Sequence, residues 1–180
     1  MIAADLTMRS DWIATYTGGV FFPLAPRVED VRISDIAHAL SMLCRFAGHT
    51  RGFYSVAQHS VLVSHLCSQQ DALWGLLHDA SEAYLSDIVS PLKRASGMGG
   101  YRVIEQRVQL VIAQAFNLPV AEPSSVKAAD QALLRIEQRD LVTMPDGWDV
   151  HVPPHHKRIE PWTPAEAEAQ FLARFWELSK

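Results

Sequence analysis

The chain is poor in the features that mark secreted, membrane-spanning or nucleic-acid-binding proteins. Cysteine occurs twice in 180 residues, at Cys44 and Cys67. They form no Cys-x-x-Cys pair, so a zinc knuckle and thioredoxin-type chemistry are excluded, and both read as buried free thiols. No window approaches the roughly 18 uninterrupted apolar residues of a membrane helix. The run Met1-Ile2-Ala3-Ala4-Asp5-Leu6-Thr7-Met8-Arg9 carries an early acid and no long apolar stretch, which argues against a signal peptide and for a cytoplasmic location. Positive charge is not in excess: 16 Lys and Arg against 20 Asp and Glu give a formal net charge of -4 and a pI near 6.0. No global field therefore attracts a nucleic-acid polymer, although a local basic pocket can still bind a phosphate. No internal repeat, low-complexity tract or long linker divides the chain. What is present is an even balance, 48% hydrophobic and 20% charged residues with a mean hydropathy of 0.00. A soluble globular domain of this length buries roughly 70% of its extended-chain surface. Eight histidines stand out.

Hydrophobic periodicity predicts an all-α bundle behind an irregular N-terminal arm. Residues 1 to 33 mix Gly18-Gly19, Pro23 and Pro26 with Phe21 and Phe22 and lack a helical period, which fits an arm with a short hairpin. Ile36, Leu40, Leu43 and Ala47 then recur at helical spacing to about Gly48, with Ser34 and Asp35 placed to cap the start. Ser55 with Gln58 three residues on forms a capping-box arrangement ahead of a second helix to about Ser68. Asp71 is placed to cap a third, running to about Tyr84. Residues 85 to 99 read mostly as loop. A fourth helix spans Tyr101 to Asn117, and a fifth runs from Ser124 or Ser125 to Leu141 with Val126, Ala129, Leu133, Leu134 and Ile136 inward. Thr163-Pro164-Ala165-Glu166 opens a last helix with a capping box and a proline at the first helical position.

Three of these helices offer metal-ligand residues. They are His59 on the second, the adjacent pair His78-Asp79 on the third, and Asp130 beside the apolar stripe of the fifth. A carboxylate next to core positions is costly unless it is paired or bound to metal. Four nitrogen and oxygen ligands from three helices suit a divalent ion with open positions, and without thiolate they leave zinc, cobalt, manganese, iron and magnesium all open. Glu82 lies at i+4 from His78 and i+3 from Asp79, on the same helical face, where it can orient a water or bind a second ion. Asp87 follows just past that helix as a general acid or base, and Lys93 can neutralise phosphate.

The segment His78-Asp79-Ala80-Ser81-Glu82, with Asp87 and Pro91-Leu92-Lys93 after it, resembles the core of the small HD-domain metal-dependent phosphohydrolases. Tyr54-Ser55-Val56-Ala57-Gln58-His59-Ser60 is similar to that family's first-histidine motif. Lys127-Ala128-Ala129-Asp130 with Glu137 is similar to its closing aspartate helix. The likeness covers roughly Ile33 to Leu141 and implies an HD-domain helical bundle as a single domain. It implies metal ligation by His59, His78, Asp79 and Asp130, and catalytic roles for Glu82 and Asp87. Asp35-Ile36-Ala37-His38-Ala39-Leu40-Ser41 and Arg45-Phe46-Ala47-Gly48-His49-Thr50 resemble the phage-associated branch, the deoxyadenosine triphosphate triphosphohydrolases, more than the bacterial 5′-deoxynucleotidases. By that likeness Arg45 binds phosphate, Phe46 and Pro91 contact the rest of the nucleotide, and the location is the host cytoplasm if the gene is carried by a phage.

The resemblance implies cleavage of the 5′ phosphoester of a purine deoxynucleotide. The form expected first takes a deoxynucleoside triphosphate to deoxynucleoside and triphosphate. The second is a 5′-deoxynucleotidase acting on monophosphates, and the third a scaffold that binds nucleotide or a protein partner without turnover. The complete ligand set together with Glu82 and Asp87 argues for an enzyme. His38, His49 and His65 are expected to be structural or exposed, and His151, His155 and His156 to lie in a solvated loop. Gly18-Gly19 lacks the strand and the Gly-Lys-Ser/Thr element of a phosphate loop. Trp148, Trp162, Phe171, Phe175 and Trp176 are expected to pack the C-terminal helix or an interface between copies in a homo-oligomer.

Overall fold

A computed structural model of the chain describes residues 11–148, 150 and 157–180. The N-terminal arm carries the expected hairpin. Strand β1 (Ile13–Ala14) pairs antiparallel with β2 (Val20–Phe21), Ile13 opposite Phe21 and Ala14 opposite Val20. Gly18 turns between them at a φ of 79°, a backbone conformation that a side chain would strain. Phe21 is drawn into the core, where it stacks on Tyr84 with ring centroids 3.7 Å apart.

The rest is helical: α1 (Ile33–Met42), α2 (Val56–Leu66), α3 (Ala72–Leu77), α4 (Glu82–Leu85), α5 (Ser90–Lys93), α6 (Gly99–Ala115), α7 (Ser124–Leu141) and α8 (Pro164–Leu178). The fold is all-α, with the two short strands as a minor addition. Among the described residues, no helix is long and apolar enough to cross a membrane.

Helix α2 is the hub and packs against α1, α3, α7 and α8. From Val56 to Val61 every side chain is buried, polar ones included. A helical stretch with no solvent face meets its polar groups' needs mostly from within the protein. Ser55 does so at the start, accepting the Gln58 N–H at 3.1 Å. The reciprocal half of the expected box does not form, because the Gln58 amide is used elsewhere: its Nε2 donates to the Glu160 carbonyl and its Oε1 accepts the Trp162 N–H, both at 2.8 Å. That clamp leads the chain into α8, whose Thr163–Glu166 capping box is complete.

Four expectations need correction. Helix α1 stops at Met42, and Ser34 and Asp35 do not cap it; the buried Asp35 carboxylate instead accepts the Thr17 N–H at 2.7 Å and the Thr17 hydroxyl at 3.1 Å, tying the arm to the bundle. After α1, Arg45–Gly48 forms a tight turn with Phe46, Ala47 and Gly48 at φ of 55°, 51° and 80°. The third helix breaks in two between Leu77 and Glu82, at the His78-Asp79 pair. The Gln109 amide of α6 causes the break: its Nε2 donates to the Leu77 carbonyl at 2.8 Å and its Oε1 accepts the Ser81 N–H at 3.1 Å. These are the two groups that an unbroken helix would join to each other, so the side chain has entered the ladder. Residues 85 to 99 contain α5 and a short 3-10 turn at Ser96–Met98. Cys44 and Cys67 are free but only half-buried. Phe171 and Phe175 sit in the core, whereas Trp148 and Trp176 are exposed.

Candidate metal centre

The hub helix delivers His59, and the broken third helix delivers His78 and Asp79 opposite it. Their ligand atoms all lie within 4.8 Å of one another. His59 Nε2 is 3.3 Å from His78 Nε2 and 3.5 Å from Asp79 Oδ2, and His78 Nε2 is 3.2 Å from Asp79 Oδ2. Asp130, from α7, places Oδ1 3.3 Å from His59 Nε2. Atoms about 2.1 Å from one ion at angles of about 90–110° stand roughly 3.0–3.4 Å apart, so these spacings match the edges of a coordination shell.

Tautomers strengthen the fit. His78 Nδ1 lies 2.8 Å from the Gly75 carbonyl, which can only accept, so Nδ1 carries the proton. His59 Nδ1 donates to Glu137 Oε1 at 2.6 Å. Nδ1 of each ring is thus committed to an acceptor, which leaves the two Nε2 atoms, with Asp79 against both and Asp130 against His59, as the positions that a cation would take in place of a proton. Burial lowers the basicity of His78, yet the charge and hydrogen bond of Asp79 outweigh it and push the imidazole up to about 9. Burial likewise opposes ionisation of Asp79, and His78, His59 and Arg45 overcome it and hold the carboxyl well below the usual range.

Behind His59 lies a layer built on Glu137, a residue of the closing aspartate motif to which the sequence assigned no role of its own. Glu137 is fully buried and accepts from His59, from the Tyr54 hydroxyl at 2.8 Å and from Arg45 Nη2 at 3.3 Å. Burial would raise its pKa, but the His59 and Arg45 charges and these bonds hold it at about 2. Arg45 Nη1 also donates to Asp79 Oδ2 at 3.4 Å, and its Nε is buried without a partner. Arg51 staples the chain after Arg45 to the end of α7 by donating to the Asp140 and Val142 carbonyls at 3.1 and 3.0 Å.

In front of the ligands opens a cavity of about 490 Å³. Asp79 and Asp130 line it with Arg45, Phe46, His49, Glu82, Asp87, Pro91 and Lys93, and with an apolar wall of Ile88, Val89, Leu134 and Val142. Asp79, Asp87 and Asp130, with the carboxyl of Glu82 beside them, face two cationic side chains there. That excess favours a divalent cation and repels a phosphate unless a cation is present.

Relatives share this chain almost end to end. Uncharacterized protein YfdR of Escherichia coli (strain K12) is 41% identical over 174 residues, covering 94% of this chain and 96% of that protein. The chain belongs to the YfdR family. A second relative, an uncharacterized protein of Rhodobacter capsulatus, is 35% identical over 147 residues, 74% of each chain. No family model matches.

In this YfdR-family chain every residue singled out from the sequence for ligation, catalysis or substrate contact lies at the centre or on the cavity wall. The roles of two differ from expectation. Lys93 is already paired, its Nζ 3.0 Å from Glu82 Oε1 and 2.7 Å from Glu105 Oε1, so it neutralises carboxylates rather than standing free for phosphate. Glu82 is buried, with Oε1 on Lys93 and Oε2 unpartnered. Burial, then Asp79 and Asp87, push it up to about 9 against the pull of Lys93. Asp87 is raised mainly by burial. His49, expected to be structural or exposed, is exposed and also lines the cavity. His38 is away from it, stacked on Tyr16 and 3.0 Å from Glu168, and His65 is exposed as expected. His151, His155 and His156 lie outside the described residues. Glu105 and Gln109 gave no local signal. Glu137 gave one, seven residues from Asp130 and hence on the same face of α7.

Proposed function

We propose that the protein is an HD-type metal-dependent phosphohydrolase that cleaves the 5′ phosphoester of purine deoxynucleotides. The observation that carries this reading is the pair of Nε2 atoms facing each other, with Asp79 against both and Asp130 against His59, the two carboxylates lining a nucleotide-sized cavity. A divalent ion held by His59, His78, Asp79 and Asp130 supplies Lewis acidity, acidifying water and polarising a phosphoryl oxygen. Water oxygen adds to phosphorus, the bond from phosphorus to the 5′ oxygen breaks, and the leaving oxygen takes up a proton. Glu82 keeps its proton near neutral pH and serves as the acid for that oxygen. Asp87, on the cavity wall, receives the proton that the attacking water gives up. Arg45, on the cavity wall, offers a fixed positive charge to the phosphoryl oxygens. Phe46, Pro91 and the apolar wall hold the nucleoside.

The likeness to the phage branch supports a dATP-type triphosphohydrolase that releases deoxynucleoside and triphosphate. One observation favours the second form, a 5′-deoxynucleotidase acting on monophosphates. Both cations of the cavity are already engaged, Arg45 by Asp79 and Glu137 and Lys93 by Glu105 with a hydrogen bond to Glu82, and a triphosphate brings about twice the charge of a monophosphate.

The test is a panel of ribo- and deoxynucleotides, as mono- and triphosphates, with several divalent ions and identification of the phosphate species released. Metal-dependent hydrolysis of deoxynucleotides, lost in Asp79→Ala, is expected. Orthophosphate from monophosphates alone selects the nucleotidase form. Hydrolysis by chelator-treated wild-type protein would sink the metal-dependent reading, and turnover restricted to cyclic dinucleotides or guanosine tetraphosphate would sink the substrate class.

A further inference from the structure

Glu137 touches neither the cavity nor the ligand side of the metal centre, yet it is one of the most enclosed charges in the chain. A carboxylate withdrawn from water is tolerated only where donors fill its lone pairs, and here the donors belong to different parts of the site. Oε1 takes the His59 Nδ1–H at 2.6 Å and the Tyr54 hydroxyl at 2.8 Å. Oε2 takes Arg45 Nη2–H at 3.3 Å, and Arg45 reaches on to Asp79 through Nη1. One oxygen thus governs a ligand imidazole, and the other governs the guanidinium that faces the phosphate position.

We propose that Glu137 is a positioning residue that couples metal affinity to phosphate affinity. Through Oε1 it keeps the His59 proton on Nδ1 and the lone pair on Nε2. Through Oε2 it keeps Arg45 on the cavity wall. Tyr54 holds the carboxylate in place and acts on both only through it. The proposal rests on the metal-centred reading above.

The test measures Mn²⁺ or Co²⁺ affinity by calorimetry and inorganic phosphate affinity of the metal-loaded protein, in wild type, Glu137→Gln, Tyr54→Phe, Arg45→Gln and the Glu137→Gln/Arg45→Gln double variant. In Glu137→Gln the metal Kd rises by roughly 10–100-fold, the usual effect of losing a carboxylate behind a ligand histidine. Phosphate Kd rises as well, because the amide cannot hold Arg45 as an anion does. In the Arg45→Gln background the same substitution still weakens metal binding and no longer changes phosphate binding. Tyr54→Phe moves both constants in the same direction, but less. Unchanged metal affinity in a folded Glu137→Gln overturns the proposal, as does a phosphate effect that persists without Arg45. Should Glu137→Gln fail to fold by circular dichroism, Glu137→Asp keeps the charge but shortens the reach, and wild-type constants in that variant overturn the proposal equally. Wild-type protein that takes up no divalent ion overturns the metal-centred reading itself.

Discussion

Loading the centre with a divalent ion should stabilise the fold, and the size of the effect follows from the site. Without a cation, the two Nε2 atoms stand 3.3 Å apart with Asp79 against both and Asp130 against His59, so the cluster is held together by protons that an ion can replace. Those elements come from α2, α7 and the break after α3, so an ion that joins them binds the folded chain far better than the unfolded one. An ion at 100 times its Kd adds about 2.7 kcal/mol. For a chain of this size each kcal/mol is worth about 2–4 °C, which gives a rise in Tm of roughly 5–11 °C. Thermal melts followed by circular dichroism, with Mn²⁺ or Co²⁺ and then with excess chelator, measure it. The sequence also carries His151, His155 and His156, so a rise alone does not locate the ion. Asp79→Asn supplies the control: it keeps the side-chain shape, removes the charge that His78 and Arg45 lean on, and should lose most of the shift. A rise of the same size in Asp79→Asn, or no rise in wild type, refutes the assignment.

Four further outcomes are expected. Ala47 adopts a φ of 51° between Phe46 and Gly48, so Ala47→Gly should raise stability by about 1 kcal/mol in denaturant titrations; a loss of stability would show that this turn is not strained. Turnover should fall as pH rises through about 9, where Glu82 gives up its proton. Glu105→Gln removes the second carboxylate from Lys93, leaving that cation to favour ionised Glu82, so the alkaline limb of the pH–rate profile should move to lower pH; an unmoved or upward-shifted limb contradicts the role of Glu82 as the acid. Gln109→Ala should cost only about 1–2 kcal/mol of stability, because the Leu77 carbonyl and Ser81 N–H can close their own helical bond. It should nevertheless weaken metal binding by swinging Asp79 away from His59, and wild-type metal affinity would show that the break does not position the ligand.

The contrast between Asp130 and Gln109 shows what could be read from the sequence. Asp130 declares itself locally, as a carboxylate beside Val126, Ala129 and Leu133, and its neighbourhood in the structure is the one that its stripe implies. The helices of the bundle declare themselves in the same way, through apolar periodicity and through caps such as Thr163–Glu166. What periodicity cannot carry is an interruption imposed from elsewhere. Residues 71 to 84 have the pattern of one helix, and they are split because a glutamine about 30 residues on donates to Leu77 and accepts from Ser81. The early end of α1 has a similar cause: Cys44 bridges to Ser55 as extended chain, and Arg45 N–H donates to the Tyr54 carbonyl at 2.9 Å, which turns Arg45 toward α7 instead of along a helix. Both departures fall at the site, and both put a charged side chain where regular helix would not. Periodicity is written by burial, which acts on whole faces. The placement of Asp79 and Arg45 is written by single polar contacts over long separations, and local pattern is silent about those.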